Sequence, residues 1–283
     1  SFHHEVHEKP NGNFLVTVSK DGAASIEDYI IEIDRATKDI VNLWDLNLSL
    51  DNTRTALKDD ASDWIHTNAI TYDETDDTII ISGRTQGLIK LTSSNEVVWI
   101  MGTHKGWNMS GDGVDLNQFL LTPLNKAGDP ITDPAVLDGD TNHPDFEWNW
   151  YQHAPLITPE GHIMLFDNGD NRNYTNTTTY SRAVTYEVNE ADKTIQQLWQ
   201  YGKERGVETY SSIVSDVDYL EPGDHVLFSP GAVSINGGFY GKSIEVDVTD
   251  SSVIFEATII PPNPFFGIIT FHRTERLSLY PPE

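Results

Sequence analysis

The sequence contains no cysteine, which excludes disulfides, thiolate zinc sites and cysteine nucleophiles together while leaving the compartment open. Basic residues are also scarce: 18 Lys and Arg stand against 44 Asp and Glu, a formal net charge of −26. Such a charge repels phosphate backbones and anionic lipid surfaces, so no nucleic-acid partner is expected. The plainest reading of the acidity is solubility. A diffuse acidic field also disfavours an anionic substrate, so a site for one must concentrate positive charge locally. Long apolar runs are missing too; none approaches the roughly 20 residues that span a bilayer, and no signal-peptide pattern is visible, so no membrane insertion is expected. The chain opens on Ser1-Phe2-His3-His4 without an initiator Met, from which processing or truncation upstream is expected.

What is present is a repeat. A strand, a polar turn and a second strand ending in an aromatic residue recur as Tyr29–Ile33 with Ile40–Trp44, Gly87–Leu91 with Glu96–Trp99, Val184–Val188 with Ile195–Trp199, and Ile244–Val248 with Val253–Phe255. Ahead of each hairpin stands a polar position, then a turn and a β-rich run: His4 before Phe14-Leu15-Val16, His66 before Thr78–Ile81, His153 before Ile163–Leu165, and Ser215 before Val226-Leu227. Pro10-Asn11-Gly12, Pro159-Glu160-Gly161 and Glu221-Pro222-Gly223 carry the residues that tight turns require.

Trp44 to Trp99 is 55 residues, Trp199 to Phe255 is 56, and Trp99 to Trp199 is 100 because a segment near 103–147 is inserted. Four strands at that period predict the blades of an all-β propeller, with almost no helix. About four blades are represented, and one β-propeller domain over 1–283 is expected, as the C-terminal part of a longer chain. The 103–147 segment, rich in Gly, Asp, Asn and Pro, reads as a long surface loop within it.

The first strand of each propeller blade lines the central channel, so repeat-equivalent residues converge at one funnel mouth. His4, His66 and His153, with Ser215 in the fourth blade, are the candidates. Any one of these histidines alone reads as structural; three at equivalent positions in otherwise different sequence point to a shared function. Arg84 follows the apolar strand Thr78–Gly83, where a guanidinium pointing into the core would be costly. A channel-facing Arg84 suits a tetrahedral oxyanion, and a surface salt bridge is its alternative. Asn68, two residues after His66 on the same strand face, could donate to the same oxygens. Asp167-Asn168-Gly169-Asp170-Asn171 resembles a calcium loop without its full spacing. His3, His7, His104, His143, His162, His225 and His272 have no repeat logic linking them to the funnel. Trp148, Trp150 and Tyr151 could stack on an aromatic ligand or pack in the core.

The runs Trp64-Ile65-His66-Thr67-Asn68-Ala69-Ile70, Ile81-Ser82-Gly83-Arg84, Trp150-Tyr151-Gln152-His153-Ala154-Pro155, Phe166-Asp167-Asn168-Gly169 and Arg273-Thr274-Glu275-Arg276-Leu277-Ser278-Leu279-Tyr280-Pro281 resemble those of bacterial arylsulfate sulfotransferases. The resemblance covers essentially the whole chain and implies a six-bladed propeller in an exported, often periplasmic enzyme, of which this chain resembles the last four blades. It implies an aryl sulfate donor and a phenolic acceptor, no cofactor and no metal, with homodimerisation left open. His153 stands where the family has its nucleophile, His66, Asn68 and Arg84 where it holds the sulfuryl oxygens, and His4, or the adjacent His3, at a further histidine. Relatives can carry a disulfide before the nucleophile; the corresponding stretch here, Asp133 to Pro144, has no cysteine.

The implied chemistry is ping-pong transfer through a sulfohistidine, since a neutral imidazole is nucleophilic near physiological pH. Two rivals stand beside it: a metal-dependent propeller hydrolase using His4, His66 and His153 as ligands, and a non-catalytic binding propeller.

Overall fold

The computed structural model describes residues 1–55, 57, 60–175, 177, 179–221, 224–235, 238–261 and 269–277. Pro222-Gly223 of one expected turn and Ser278 to Pro281 of the terminal motif lie outside the described residues.

Four antiparallel sheets follow one another along the chain. The first is β1 (Phe2–Glu8), β2 (Phe14–Val18), β3 (Tyr29–Ile33) and β4 (Ile40–Asp45); the second is β5 (Thr67–Asp73), β6 (Thr78–Gly83), β7 (Gly87–Leu91) and β8 (Val97–Met101). After β9 (Thr122–Leu124), the third runs through β10 (His153–Ile157), β11 (Ile163–Asp167), β12 (Arg182–Asn189) and β13 (Thr194–Tyr201). The fourth comprises β14 (Asp216–Leu220), β15 (His225–Ser229), β16 (Val233–Ile235), β17 (Gly238–Asp247) and β18 (Val253–Ile259). All four expected hairpins are present, as β3–β4, β7–β8, β12–β13 and β17–β18. The turn at Gly12 closes with its N–H donating to the Lys9 carbonyl at 2.8 Å and a φ of 86°, a backbone state that glycine adopts without strain.

Period-two alternation explains why these sheets stack like blades. In β6, Ile79 and Ile81 pack into the core shared with the first sheet, while Ile80 points the other way into the core shared with the third. Trp44 and Trp99, at the ends of their hairpins, fill successive inter-blade cores, and a third cluster around Phe166 and Phe228 joins the third sheet to the fourth. Inner strands lie side by side in the order β1, β5, β10, β14. The segment around Phe271 and Arg273 bonds to Gly231 of the fourth sheet and to Glu5 of β1, so it spans the channel side between the last sheet and the first.

The 103–147 segment is more than a surface loop. Trp107, Leu116, Leu121, Ile131, Val136 and Phe146 are buried in the inter-blade cores, and β9 joins the outer edge of the third sheet in parallel with β13. Its apolar residues are spaced too irregularly for strand or helix periodicity, which is why the sequence reads as a loop.

Candidate active site

The predicted site residues gather at one end of the inner strands. His4 lies within β1, His66 immediately precedes β5, Asn68 lies within β5, Arg84 follows β6, and His153 opens β10. The ladders of β1, β5 and β10 each shift register at this end, and His4 (φ 48°), His66 (φ 51°), Ala154 (φ 49°) and Ser215 (φ 88°) adopt left-handed backbone. Bulges with such residues re-aim side chains, and they are frequent beside functional sites.

Register also corrects the repeat equivalence. His7, Thr71, Leu156 and Asp218 occupy one level, opposite Leu15, Ile80, Met164 and Leu227. Three residues before that level stand His4, Asn68, His153 and Ser215, whereas His66 stands two residues further out. The bulges conceal this offset from a sequence comparison.

His153 is the most closely held of the three imidazoles. It is only 8% exposed, and its Nδ1 lies 2.7 Å from Asn168 Oδ1. Asn168 Nδ2 donates to the carbonyls of Ser211 at 2.8 Å and Val214 at 3.0 Å. Those carbonyls can only accept, so the amide nitrogen faces them and Oδ1 faces the ring. His153 Nδ1 must then carry the proton, and Nε2 keeps its lone pair. Burial lowers the His153 pKa to about 3, opposed by the Asn168 hydrogen bond and reinforced by the charges of Arg84, His66 and His4.

The residue before His153 is clamped to the neighbouring blade. Asn68 Nδ2 and Ser82 Oγ donate to the Gln152 carbonyl, and Gln152 Nε2 donates to Gly83 O at 3.0 Å. One Asn68 amide hydrogen is therefore committed to the backbone, which gives Asn68 a positioning task that the sequence does not reveal.

Arg84 is largely buried and pairs at long range with Asp170. Its backbone N–H donates to the His66 carbonyl at 3.1 Å, its guanidinium lies 4.4 Å from the Tyr151 ring centroid, and Asp170 approaches only to 3.8 Å. The stacking fixes the plane of the fork.

His4 and His66 form a second group, with ring centroids 4.9 Å apart. Glu27 Oε2 bridges them, 3.2 Å from His4 Nε2 and 3.1 Å from His66 Nδ1. Asp63 Oδ2 lies 2.5 Å from His66 Nδ1. His3 stands at 5.4 Å from His4. Burial pushes the Glu27 carboxyl up, but the His4 hydrogen bond and the charges of His66, His4 and His3 outweigh it and hold it below the ordinary range.

Among the described residues, the donor atoms close enough to share an ion are those of His3, His4 and Glu27, and of Glu27, Asp63 and His66. His153 belongs to neither group, so a metal held by His4, His66 and His153 lacks one of its ligands. Nor does the Asp167–Asn171 run ring a cation. Asp167 accepts from the backbone of Trp150 and Gly169 and from Arg172 and Arg182, while Asn168 serves His153.

Trp148 and Trp150 are core residues, packed edge-on against Phe146 and Tyr174. Tyr151 is buried under Arg84 with its hydroxyl donating to Leu57 O at 2.9 Å; none of the three offers a face to a phenol. Asn168, Glu27 and Asp63 are the site groups that sequence reasoning missed. Asn168 was legible within Phe166-Asp167-Asn168-Gly169; Glu27 and Asp63 lie in polar loops with no distinguishing spacing.

Below the histidines, the inner strands enclose a channel cavity of about 360 Å³ lined by Glu5, His7, Asp216, Asp218 and Arg273. Burial and the neighbouring Asp218 raise the Asp216 carboxyl to about 8, against the pull of Arg273.

At one end of the stacked sheets, then, a buried histidine of fixed tautomer stands with an arginine and two further imidazoles. The chain belongs to the arylsulfotransferase (ASST) family, whose family model matches residues 1–262. It is 32% identical to the arylsulfate sulfotransferases AssT of Lelliottia amnigena and of Escherichia coli O6:H1, over 92% of this chain and 51% of each relative. The chain thus spans about half the length of the curated relatives it matches. A solved polysaccharide lyase, Uly1, aligns over 91% of this chain and 69% of its own with a TM-score of 0.39 and 9% identity, too distant to inform the chemistry.

Proposed function

We propose that this chain transfers a sulfuryl group from an aryl sulfate to a phenol by two displacements at His153. The Nε2 lone pair attacks sulfur, the bond from sulfur to the aryl oxygen breaks, and the N-sulfo intermediate passes its group to the acceptor oxygen. Arg84 and the His4–His66 pair offset the charge on the sulfuryl oxygens as it redistributes, the preorganised stabilisation that contributes most at such sites. Asn68 holds the backbone from which His153 projects. Family membership supports an exported, periplasmic setting.

One observation carries this reading: Asn168, anchored by two carbonyls, fixes the His153 tautomer with Nε2 unprotonated. Initial rates with 4-nitrophenyl sulfate varied at several fixed phenol concentrations test it. Parallel double-reciprocal lines are expected. Intersecting lines would show that both substrates must be bound together, and no phenol-dependent release would remove the transferase reading.

A further inference from the structure

Two half-reactions need a proton moved twice, out of the acceptor phenol and into the departing phenolate, and His153 cannot move it, because Nε2 is occupied by sulfur and Nδ1 faces Asn168. Of the remaining imidazoles, His4 spends Nε2 on Glu27. His66 is different: both carboxylates meet its Nδ1, Asp63 at 2.5 Å and Glu27 at 3.1 Å, so Nδ1 carries a proton and Nε2 is left for substrate. The peptide is fixed as well, with the His66 carbonyl accepting from the Arg84 N–H. The charged or titratable groups around the ring are Asp63, Glu27 and His4, with His3 and His153 in electrostatic range.

We infer that Asp63 is the positioning residue of a proton-transferring dyad, holding His66 so that Nε2 exchanges the phenolic proton in both half-reactions. This rests on the transferase reading above. In the first half-reaction His66 begins as the imidazolium, its Nδ1–H held by the carboxylates; the S–O electron pair leaves with the phenolate oxygen, which takes the Nε2 proton and leaves His66 neutral. In the second, the acceptor O–H gives its proton to Nε2 as its oxygen attacks sulfur; the N–S pair returns to His153, and the imidazolium of His66 is stabilised by Asp63. The arrangement follows the logic of an acid-oriented histidine in hydrolases, where the carboxylate sets tautomer and aim without itself taking the proton. Glu27, shared between His4 and His66, ties this dyad to the sulfuryl-holding group.

The test is a leaving-group series on the full 283-residue chain, comparing the unaltered protein with Asp63→Asn and Asp63→Glu across aryl sulfates from 4-nitrophenyl to 4-methylphenyl. General acid catalysis contributes about 10²-fold or more where the leaving group is poor and little where it is good. Asp63→Asn is therefore expected to lose about 10²-fold on 4-methylphenyl sulfate, only a few-fold on 4-nitrophenyl sulfate, and to recover partly as Asp63→Glu. Should Asp63→Asn not fold, the unaltered chain answers the same question in deuterated water: a solvent isotope effect that grows as the leaving group worsens supports the dyad, and one that stays flat overturns it. Equal losses across the series would make Asp63 merely structural and overturn the inference while leaving the transferase reading standing. Absence of transfer by the unaltered chain would overturn both.

Discussion

Asn68 donates its amide to the carbonyl of Gln152 at 2.9 Å across 84 residues of sequence, so the second blade holds the backbone one residue ahead of the proposed nucleophile. Replacing Asn68 with Ala removes the donor while Ser82 still reaches the same carbonyl at 3.2 Å. The loss is expected mainly in kcat, by about 10-fold to 10²-fold, the range for groups that orient rather than touch the reacting centre. Steady-state kinetics with KM little changed would bear this out.

Asn168→Ala frees the His153 ring and ends the control of its tautomer. A fall in kcat of at least about 10²-fold is expected, as for other orienting groups of a catalytic histidine. The same variant leaves the Ser211 and Val214 carbonyls without their donor, costing about 1–3 kcal/mol of stability, which denaturant unfolding can read separately.

Arg84→Lys keeps a charge but surrenders the fork and the plane stacked on Tyr151. Loss of one such stabilising group from a transferring oxyanion costs about 10²- to 10³-fold in turnover. Arg84→Lys is expected at the low end of that range and Arg84→Gln at the high end, measured with one aryl sulfate at saturation.

Buried charge beside the site makes a stability prediction. Asp167 is fully buried between Arg172 and Arg182, and Glu147 completes the group. Asp167→Ala would leave two buried guanidinium groups to share Glu147 at 3.7 Å, a loss of about 3–5 kcal/mol. Equilibrium unfolding in urea, compared with the unaltered chain, measures it.

Two buried groups give opposite pH dependences. His153, held near 3, stays neutral in the fold while its unfolded counterpart takes up a proton below about 6.5; stability therefore falls as pH drops from about 6.5 toward 3. Asp216, held near 8, stays protonated in the fold while the unfolded carboxyl ionises above about 3.9; stability therefore falls as pH rises from about 4 to 8. Asp216→Asn removes the second dependence alone. Its advantage over the unaltered chain in thermal unfolding should grow steadily between pH 4 and pH 8 and level off above.

How much of this was legible in the sequence follows from where each signal sits. Strand pairs ending in tryptophan announced blades because Ile79, Ile80 and Ile81 must alternate between two cores, and alternation is visible in a linear string. The histidines were legible by recurrence, but their register was not, since a bulge adds residues without a compositional mark. Trp107 and Ile131 of the inserted segment gave no period to recognise. Asn168 was visible within Phe166-Asp167-Asn168-Gly169 and in a run that suggested a cation, but not as the partner of His153. Glu27 and Asp63 carried no mark in the sequence: Asp63 meets His66 from three residues away in an ordinary polar loop, and Glu27 gains its meaning only by reaching both His4 and, in the next blade, His66.

The most direct measurement is to mix the chain with aryl sulfate in the absence of acceptor, quench rapidly under conditions that preserve a labile N–S bond, and map the sulfuryl group by peptide mass spectrometry. Label on the peptide containing His153, discharged by adding phenol, is the predicted result. Label elsewhere, or none despite full turnover with phenol present, would contradict it.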